Sequence, residues 1–174
     1  MNLYLRLFFL LFRLIGLPKK GLLEESRVSF RVLPNDCDIN FHMNNGRYLT
    51  FMDLGRVHLV TQIGLMRMIF RKRWMPVLGA AEIVFIRPLA PFQKFDLVTR
   101  IVTWDDKYCY MEQRFEAGGV LCTHAFVKGL FLEKGGRVSN SALVKELGFT
   151  DSPPPMPEEL RMWVELGNVK KQKA

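Results

Sequence analysis

The densest group of chemically reactive side chains in this sequence lies between residues 36 and 48. It comprises two carboxylates, an imidazole and three carboxamides: Asp36, Asp38, Asn40, His42, Asn44 and Asn45. A carboxylate can attack a carbonyl carbon or remove a proton from water. A free backbone N–H can stabilise the oxyanion that such a reaction forms. The residue types therefore indicate chemistry on a carbonyl or an anion.

The flanking elements would position these groups at a strand-to-helix junction. A strand-like run at 27–33 precedes them, and a helix-like run from Tyr48 to Leu65 follows. Backbone N–H groups are free in the first turn of a helix, where the helix dipole is positive. Asp and Asn also favour turns and helix N-caps, so each polar residue here has a structural interpretation beside the catalytic one.

The rest of the chain predicts an α+β fold. Four strand-like runs follow the helix, at 77–86, 95–104, 107–116 and 120–132. Short connections between the last three predict an antiparallel meander. The helix has an apolar face, which we place on Leu49, Met52, Leu59, Val60 and Ile63. Only the concave face of a sheet would bury it efficiently, so we expect a long central helix wrapped by a curved antiparallel sheet of about five strands.

Composition limits the possible functions. The 174 residues are enough for about one domain, and 49% of them are hydrophobic. Three cysteines without CxxC spacing and three histidines without ligand spacing predict reduced surroundings and no metal site. The formal charge is +8, but the basic residues do not follow a nucleic-acid-binding motif, so no nucleic acid partner is expected.

Residues 1–17 are apolar except for Asn2, Arg6, Arg13 and Gly16. The run is shorter than the roughly 20 residues of a membrane span, and it lacks the cleavage site of a signal peptide. We expect an interfacial helix with its arginines at the level of lipid phosphates. A helix docked on the domain's own apolar surface is the alternative. The predicted location is the cytoplasm, peripheral to a membrane.

The sequence divides into three predicted parts. Residues 1–20 form the apolar, membrane-associated helix, and residues 21–150 form the α+β domain. Residues 151–174 contain a proline-rich linker, a short helix and a basic tail.

The motifs resemble those of the hotdog-fold thioesterases, in the group similar to 4-hydroxybenzoyl-CoA thioesterase. The resemblance is carried by residues 36–38, 42–49 and 87–89. A subgroup that also has an apolar N-terminal segment is similar at 32–34, 104–106, 110–115 and 154–160. The resemblance covers about residues 27–165. It implies the hotdog fold, hydrolysis of a fatty or aromatic acyl-CoA, and no cofactor other than the coenzyme A of the substrate. It also implies a homodimer or dimer of dimers with active sites between subunits.

The resemblance assigns roles to particular residues. Asp38 is the expected nucleophile or general base, and the backbone N–H near Asn45 is expected to polarise the thioester carbonyl. His42 could hold water or orient Asp38, or it could be a buried, hydrogen-bonded histidine. Asp36 is expected to be structural. The expected substrate contacts are Asn44, Tyr48 and Arg87, with capping by Asn44 and packing by Tyr48 as alternatives.

Two other functions remain open at this point. One is a non-catalytic, membrane-associated acyl-binding or scaffolding protein on the same fold. The other is a hotdog hydratase or dehydratase, which resembles the pattern Asp-x-Asn-x-x-His. Asp38 and Asn40 fit its first half, but Met43 stands where the histidine should be.

Further polar groups are lesser candidates. Glu82 and Asp53 are possible alternative carboxylates, although Asp53 also suits a solvent-facing position. The basic residues between Arg67 and Arg73 could meet the phosphates of coenzyme A or of lipid head groups.

Overall fold

One curled antiparallel sheet forms the framework of the fold. The computed structural model describes residues 6–10 and 16–172. The strands are β1 (Ser26–Arg31), β2 (Met75–Phe85), β3 (Lys94–Trp104), β4 (Cys109–Ala117), β5 (Val120–Glu133) and β6 (Gly136–Arg137). Their order is β1-β3-β4-β5-β2, with β6 paired to β5. The predicted meander of three strands is therefore present as β3-β4-β5, and β1 and β2 lie at its two sides.

The helices are α1 (Asn45–Gln62), α2 (Leu65–Lys72), α3 (Asn140–Glu146) and α4 (Glu158–Lys171), with a 3₁₀ turn at Pro34–Asp36. The long helix was predicted to run from Tyr48 to Leu65. It starts three residues earlier because Asn44 caps it, and it ends before Gly64, which has a left-handed φ of 79°.

Helix α1 packs against one face of the sheet around an aromatic cluster. The ring centroid of Tyr48 lies 5.0 Å from those of Phe85 and Phe115. The ring centroid of Phe51 lies 5.1 Å from that of Phe95. Gly55 lets the helix backbone approach the sheet closely, since a Cβ there would lie 2.7 Å from the side chains of Leu97 and Thr99. The sheet and α1 therefore share one core.

The prediction that Leu49 belongs to the buried apolar face of α1 is wrong. Leu49 is 41% exposed, whereas Phe51 and Leu54 are buried. Met52 and Leu59 are buried as expected. The hydrophobicity of Leu49 suggested burial, but its position lies on the opposite side of the helix from Phe51 and Leu54.

The other face of the sheet is partly covered by α4 and partly occupied by charged side chains. Leu160 of α4 covers Val102, Tyr110 and Phe126. Beyond α4, the face carries an ion-pair network centred on Glu112, which contacts Arg100, Arg114 and His124. Glu112 and Arg114 therefore share the charged part of this face, whereas Tyr110, on the same face, lies beneath α4.

Residues 6–10 are helical and dock on the domain. Arg6 and Leu10 are buried, whereas Phe8 and Phe9 are more than half exposed. The prediction that Arg6 lies at the level of lipid phosphates is wrong, because its guanidinium is paired with buried Asp36. Arg13 lies outside the described residues. Within the described part of the chain, no helix has the length and hydrophobicity needed to cross a membrane.

Candidate active site

The residues from Asp36 to Asn44 form a small hairpin directly before α1. The N–H of Asn44 donates to the carbonyl of Asp36 at 2.8 Å, and that of Asp38 donates to the carbonyl of His42 at 3.0 Å. The N–H of Phe41 closes the turn on the carbonyl of Asp38 at 3.1 Å. Phe41 takes a left-handed φ of 58°, as expected for the last residue of a three-residue hairpin loop. The hairpin thus fixes Asp38 on a loop that leads straight into the helix.

Asp36, at the start of this hairpin, holds it to the domain through a buried side chain. Its side chain is almost fully buried and pairs with Arg6, and its Oδ2 also accepts the N–H of Leu33 at 2.8 Å. The Nε of Arg47 lies 3.6 Å from Oδ1. A buried carboxylate needs such partners, because desolvating its charge is costly. The structural interpretation of Asp36 is therefore confirmed.

Asn44 caps α1 and leaves one neighbouring donor free. Its Oδ1 accepts the N–H of Gly46 at 2.9 Å, and its carbonyl accepts the N–H of Arg47 at 2.8 Å. Within the described residues, the N–H of Asn45 has no acceptor. A free N–H in the first turn of a helix can stabilise developing negative charge, and the helix dipole adds to it. The capping interpretation of Asn44 is confirmed.

Asp38 is partly exposed on the hairpin. Its Oδ1 accepts the N–H of Asn40 at 2.9 Å, the bond of an Asx turn. Its Oδ2 has no partner among the residues that the structure describes. One oxygen therefore holds the turn, and the other is available to a water molecule or a substrate.

His42 is exposed, so the interpretation as a buried histidine is wrong. Its ring makes no hydrogen bond to Asp38 in the described structure. Only its backbone carbonyl contacts Asp38. The local sequence could not show this, since the direction of a side chain on a hairpin depends on the register of the loop.

Tyr48 and Arg87 occupy different environments beside the hairpin. Tyr48 lies in the core, in agreement with the packing role given above as the alternative to substrate contact. Burial raises the pKa of its phenol. Arg87 is exposed and donates to the carbonyl of Leu121 at 3.1 Å. The segment after Arg87 reaches the site, because the carbonyl of Leu89 accepts the N–H of Met43 at 2.8 Å. The segment that follows Arg87 is therefore hydrogen-bonded to the hairpin that carries Asp38.

Other nucleophile and metal chemistries fit this site poorly. Burial and the nearby charges of Asp36 and Asp38 raise the pKa of the Cys37 thiol, so its reactive thiolate is disfavoured. Met43, which stands where a hydratase would need histidine, is buried in the core. No group of histidine, cysteine or acidic side chains in the described residues could hold a metal ion.

The remaining candidates lie elsewhere. Asp53 faces solvent on α1 and pairs with Arg56, in agreement with its solvent-facing interpretation. Glu82 is on β2, within its ladder to β5. His58 is buried and bonded to Ser26 at 2.7 Å, and His124 belongs to the Glu112 network. In the basic cluster on α2, Lys72 pairs with Glu146.

Two hydrophobic side chains at the site were not predicted. Ile39 and Phe41 flank Asn40 at the tip of the hairpin and are 92% and 76% exposed. Two large apolar residues among polar ones could have signalled this, because a turn tip otherwise favours small polar residues. They give the Asp38 loop an apolar surface.

Known proteins resemble this chain in sequence. A family model described as the thioesterase-like superfamily matches residues 32–164. Protein THEM6 of Xenopus laevis is 33% identical over 156 residues, which are 88% of this chain and 73% of that protein. A probable thioesterase of Saccharomyces cerevisiae is 32% identical over 60% of this chain, which spans only 46% of that relative.

A solved structure shares the fold. The probable thioesterase YbaW from Escherichia coli superimposes with a TM-score of 0.65 at 15% sequence identity. The match covers 70% of this chain and 95% of that one. The predicted hotdog architecture, a helix held by a curled antiparallel sheet, is confirmed.

Proposed function

Because the chain belongs to the thioesterase-like superfamily, we propose that it hydrolyses acyl-CoA thioesters at the Asp38 hairpin. The predicted family is confirmed, and its members give the enzyme class as thioester hydrolase. The substrate class and the residues that act are the proposal. Its main support is the unpaired N–H of Asn45. Asn45 comes directly after the hairpin, on which the Asp38 carboxylate has one free oxygen.

The Asn45 N–H would act on the carbonyl oxygen of the thioester. Attack on the carbonyl carbon moves an electron pair onto that oxygen. A donor already fixed at the helix N-terminus stabilises the resulting oxyanion without reorganising. Capping by Asn44 holds the first turn of the helix in place. Asn44 accepts the N–H groups of Gly46 and Arg47 and leaves that of Asn45 free.

Asp38 would supply the other half of the chemistry by one of two routes. As a general base, Oδ2 removes a proton from water while the water oxygen bonds to the acyl carbon. As a nucleophile, Oδ2 itself bonds to the acyl carbon and forms an anhydride, which water then hydrolyses. In both routes the C–S bond breaks, coenzyme A leaves as the thiol, and the acyl group leaves as a carboxylic acid.

The acyl group would meet apolar surface next to Asp38. Ile39 and Phe41 offer such surface on the hairpin, and Phe85 and Ile86 offer more where β2 ends. A second subunit would complete the binding wall around these exposed side chains. We therefore include a homodimer in the proposal, with a fatty or aromatic acyl group between the subunits and Arg87 available to the phosphates of coenzyme A.

Hydrolysis of acyl-CoAs from short to long chain tests the proposal. We expect Asp38→Asn to lower kcat/KM by at least about a hundredfold, because the amide can neither attack nor accept a proton at that oxygen. The matched control is Asp53→Asn, which removes the same charge from an exposed position on α1. Free thiol release measured with a chromogenic reagent gives the rate.

Two results would contradict the proposal. If Asp38→Asn keeps the kcat/KM of the unaltered protein, Asp38 is not the acting carboxylate. If the unaltered protein hydrolyses no chain length, the non-catalytic acyl-binding function is favoured. The bond that Oδ1 of Asp38 accepts from the N–H of Asn40 is compatible with that second function, because it gives one carboxylate oxygen a structural role.

A further inference from the structure

A groove lies along β1 and adjoins Asp36, at the base of the hairpin, through Arg6 and Leu33. Its volume is about 470 Å³, and residues of the N-terminal helical segment form one wall. It is lined by Arg6, Phe9, Leu10, Ser29, Phe30, Arg31, Leu33 and Lys94. The lining thus combines apolar side chains with three cationic ones, and none of these residues belongs to the proposed catalytic loop.

Two of the cations are neighbours in the sheet, and the nearby acid Asp96 interacts with Lys94 only at longer range than a salt bridge. Arg31 and Lys94 are direct partners in the β1–β3 ladder. Like charges in such a position destabilise a sheet. Arg31 donates to the carbonyl of Phe92 at 2.6 Å, but neither cation has an ion pair in the described part of the chain. The nearest acid along β3, Asp96, is already bonded to Ser29 and Arg27.

The third cation is buried. Arg6 is 7% exposed and pairs with Asp36, while its Nε has no hydrogen-bond partner among the described residues. An unsatisfied buried donor on a guanidinium is costly. The charge of Arg6 in the wall is balanced by Asp36, so the excess positive charge of the groove lies at its rim. An anion there would relieve the repulsion between Arg31 and Lys94.

We propose that this groove binds the phosphate of an anionic membrane lipid. Arg31 and Lys94 would hold the phosphate, and Leu10, Phe30 and Leu33 would contact the adjoining hydrocarbon. Phe8 and Phe9 support a membrane source over a free phosphate compound, because they are exposed next to the groove and aromatic side chains favour the bilayer interface. The site does not involve Asp38, so it goes beyond the proposed hydrolysis.

Sedimentation with lipid vesicles tests this site in the full-length protein. We expect binding to phosphatidylcholine vesicles to strengthen when phosphatidylglycerol is added. The double variant Arg31→Gln/Lys94→Gln should lower the affinity for the anionic vesicles about thirtyfold, since each basic residue near such a surface contributes roughly fivefold. The matched control is Lys134→Gln/Lys145→Gln, which removes two exposed cations elsewhere and should change the affinity less than about twofold.

A second measurement separates binding from folding. Without lipid, the melting temperature of Arg31→Gln/Lys94→Gln should equal or exceed that of the unaltered protein, because a like-charge pair has been removed. Equal losses of vesicle binding in both double variants would overturn the site in favour of general surface charge. Binding of glycerol 3-phosphate without binding of vesicles would overturn the assignment to a membrane lipid.

Discussion

Glu112 is the residue on which the charges of the outer sheet face converge. Its carboxylate accepts from the Nε2 of His124 at 2.8 Å, from the Nε of Arg100 at 2.5 Å and from Arg114 at 2.8 Å. Burial opposes its ionisation, but the hydrogen bonds from His124 and Arg100 outweigh burial and lower the pKa of Glu112 to about 2. The ionised form therefore stabilises the fold.

This lowered pKa predicts how stability depends on pH. The contribution of Glu112 is complete above its ordinary pKa of 4.5 and is lost as the pH falls towards about 2, because the unfolded chain binds the proton first. We expect Glu112→Gln to cost about 1–3 kcal/mol of unfolding free energy at pH 7, and progressively less below pH 4.5. Urea unfolding at several pH values measures this, with exposed Glu165→Gln as the control. A cost that stays constant down to about pH 2 would contradict the assignment.

At the scale of elements, Gly55 determines how closely α1 approaches the sheet. Besides the contacts with Leu97 and Thr99, a Cβ there would lie 3.0 Å from the Nε2 of Gln113. That buried nitrogen already donates to the carbonyl of Met52 and to Thr99, each at 3.0 Å. A larger residue at position 55 would push the helix away from these bonds.

We therefore expect Gly55→Ala to destabilise the protein by about 1–3 kcal/mol, despite the better helix propensity of alanine. The control is Gly167→Ala in α4, where a Cβ meets its nearest atom at an ordinary 3.5 Å. That change should be neutral or stabilise by up to about 1 kcal/mol. Thermal melts of both variants compare the two sites, and a stabilising Gly55→Ala would show that the helix can shift freely.

Features of the fold that depend on neighbouring residues could be predicted from the sequence, whereas those that join distant residues could not. Strand order within the meander and the cap at Asn44 depend on neighbouring residues, so local pattern was sufficient for them. The burial of Arg6 on Asp36 joins residues thirty positions apart. The burial of Tyr48 likewise depends on how α1 rotates against the sheet, which hydrophobicity alone did not settle at Leu49. The exposure of His42 depends instead on the register of the hairpin.

At the scale of the whole molecule, β2 forms one edge of the sheet and exposes apolar side chains. It is an edge strand, and Leu78, Val84 and Phe85 are each about 45% exposed. An edge strand with exposed apolar residues favours association with another chain. We expect light scattering to give a mass of about twice the 20.2 kDa of one chain.

A charge on this strand tests that expectation. Val84→Lys should shift the protein towards the monomer and lower thioester hydrolysis, because the proposed acyl site lies between subunits. Leu166→Lys, at an exposed apolar position on α4, serves as the control. A dimer that persists in Val84→Lys would place the interface on another surface.

The ion pair between Arg6 and Asp36 has a practical consequence for experiments on shortened proteins. Trimming an apolar N-terminus is a common way to improve expression, and here it would also remove the partner of a buried carboxylate. Asp36 would keep the N–H of Leu33 and the longer contact with Arg47, but it would lose its nearest cation, at a cost of up to about 3–5 kcal/mol. Loss of turnover in such a protein would report a damaged hairpin rather than an inactive enzyme, and Asp36→Asn in the same shortened chain should restore part of the stability.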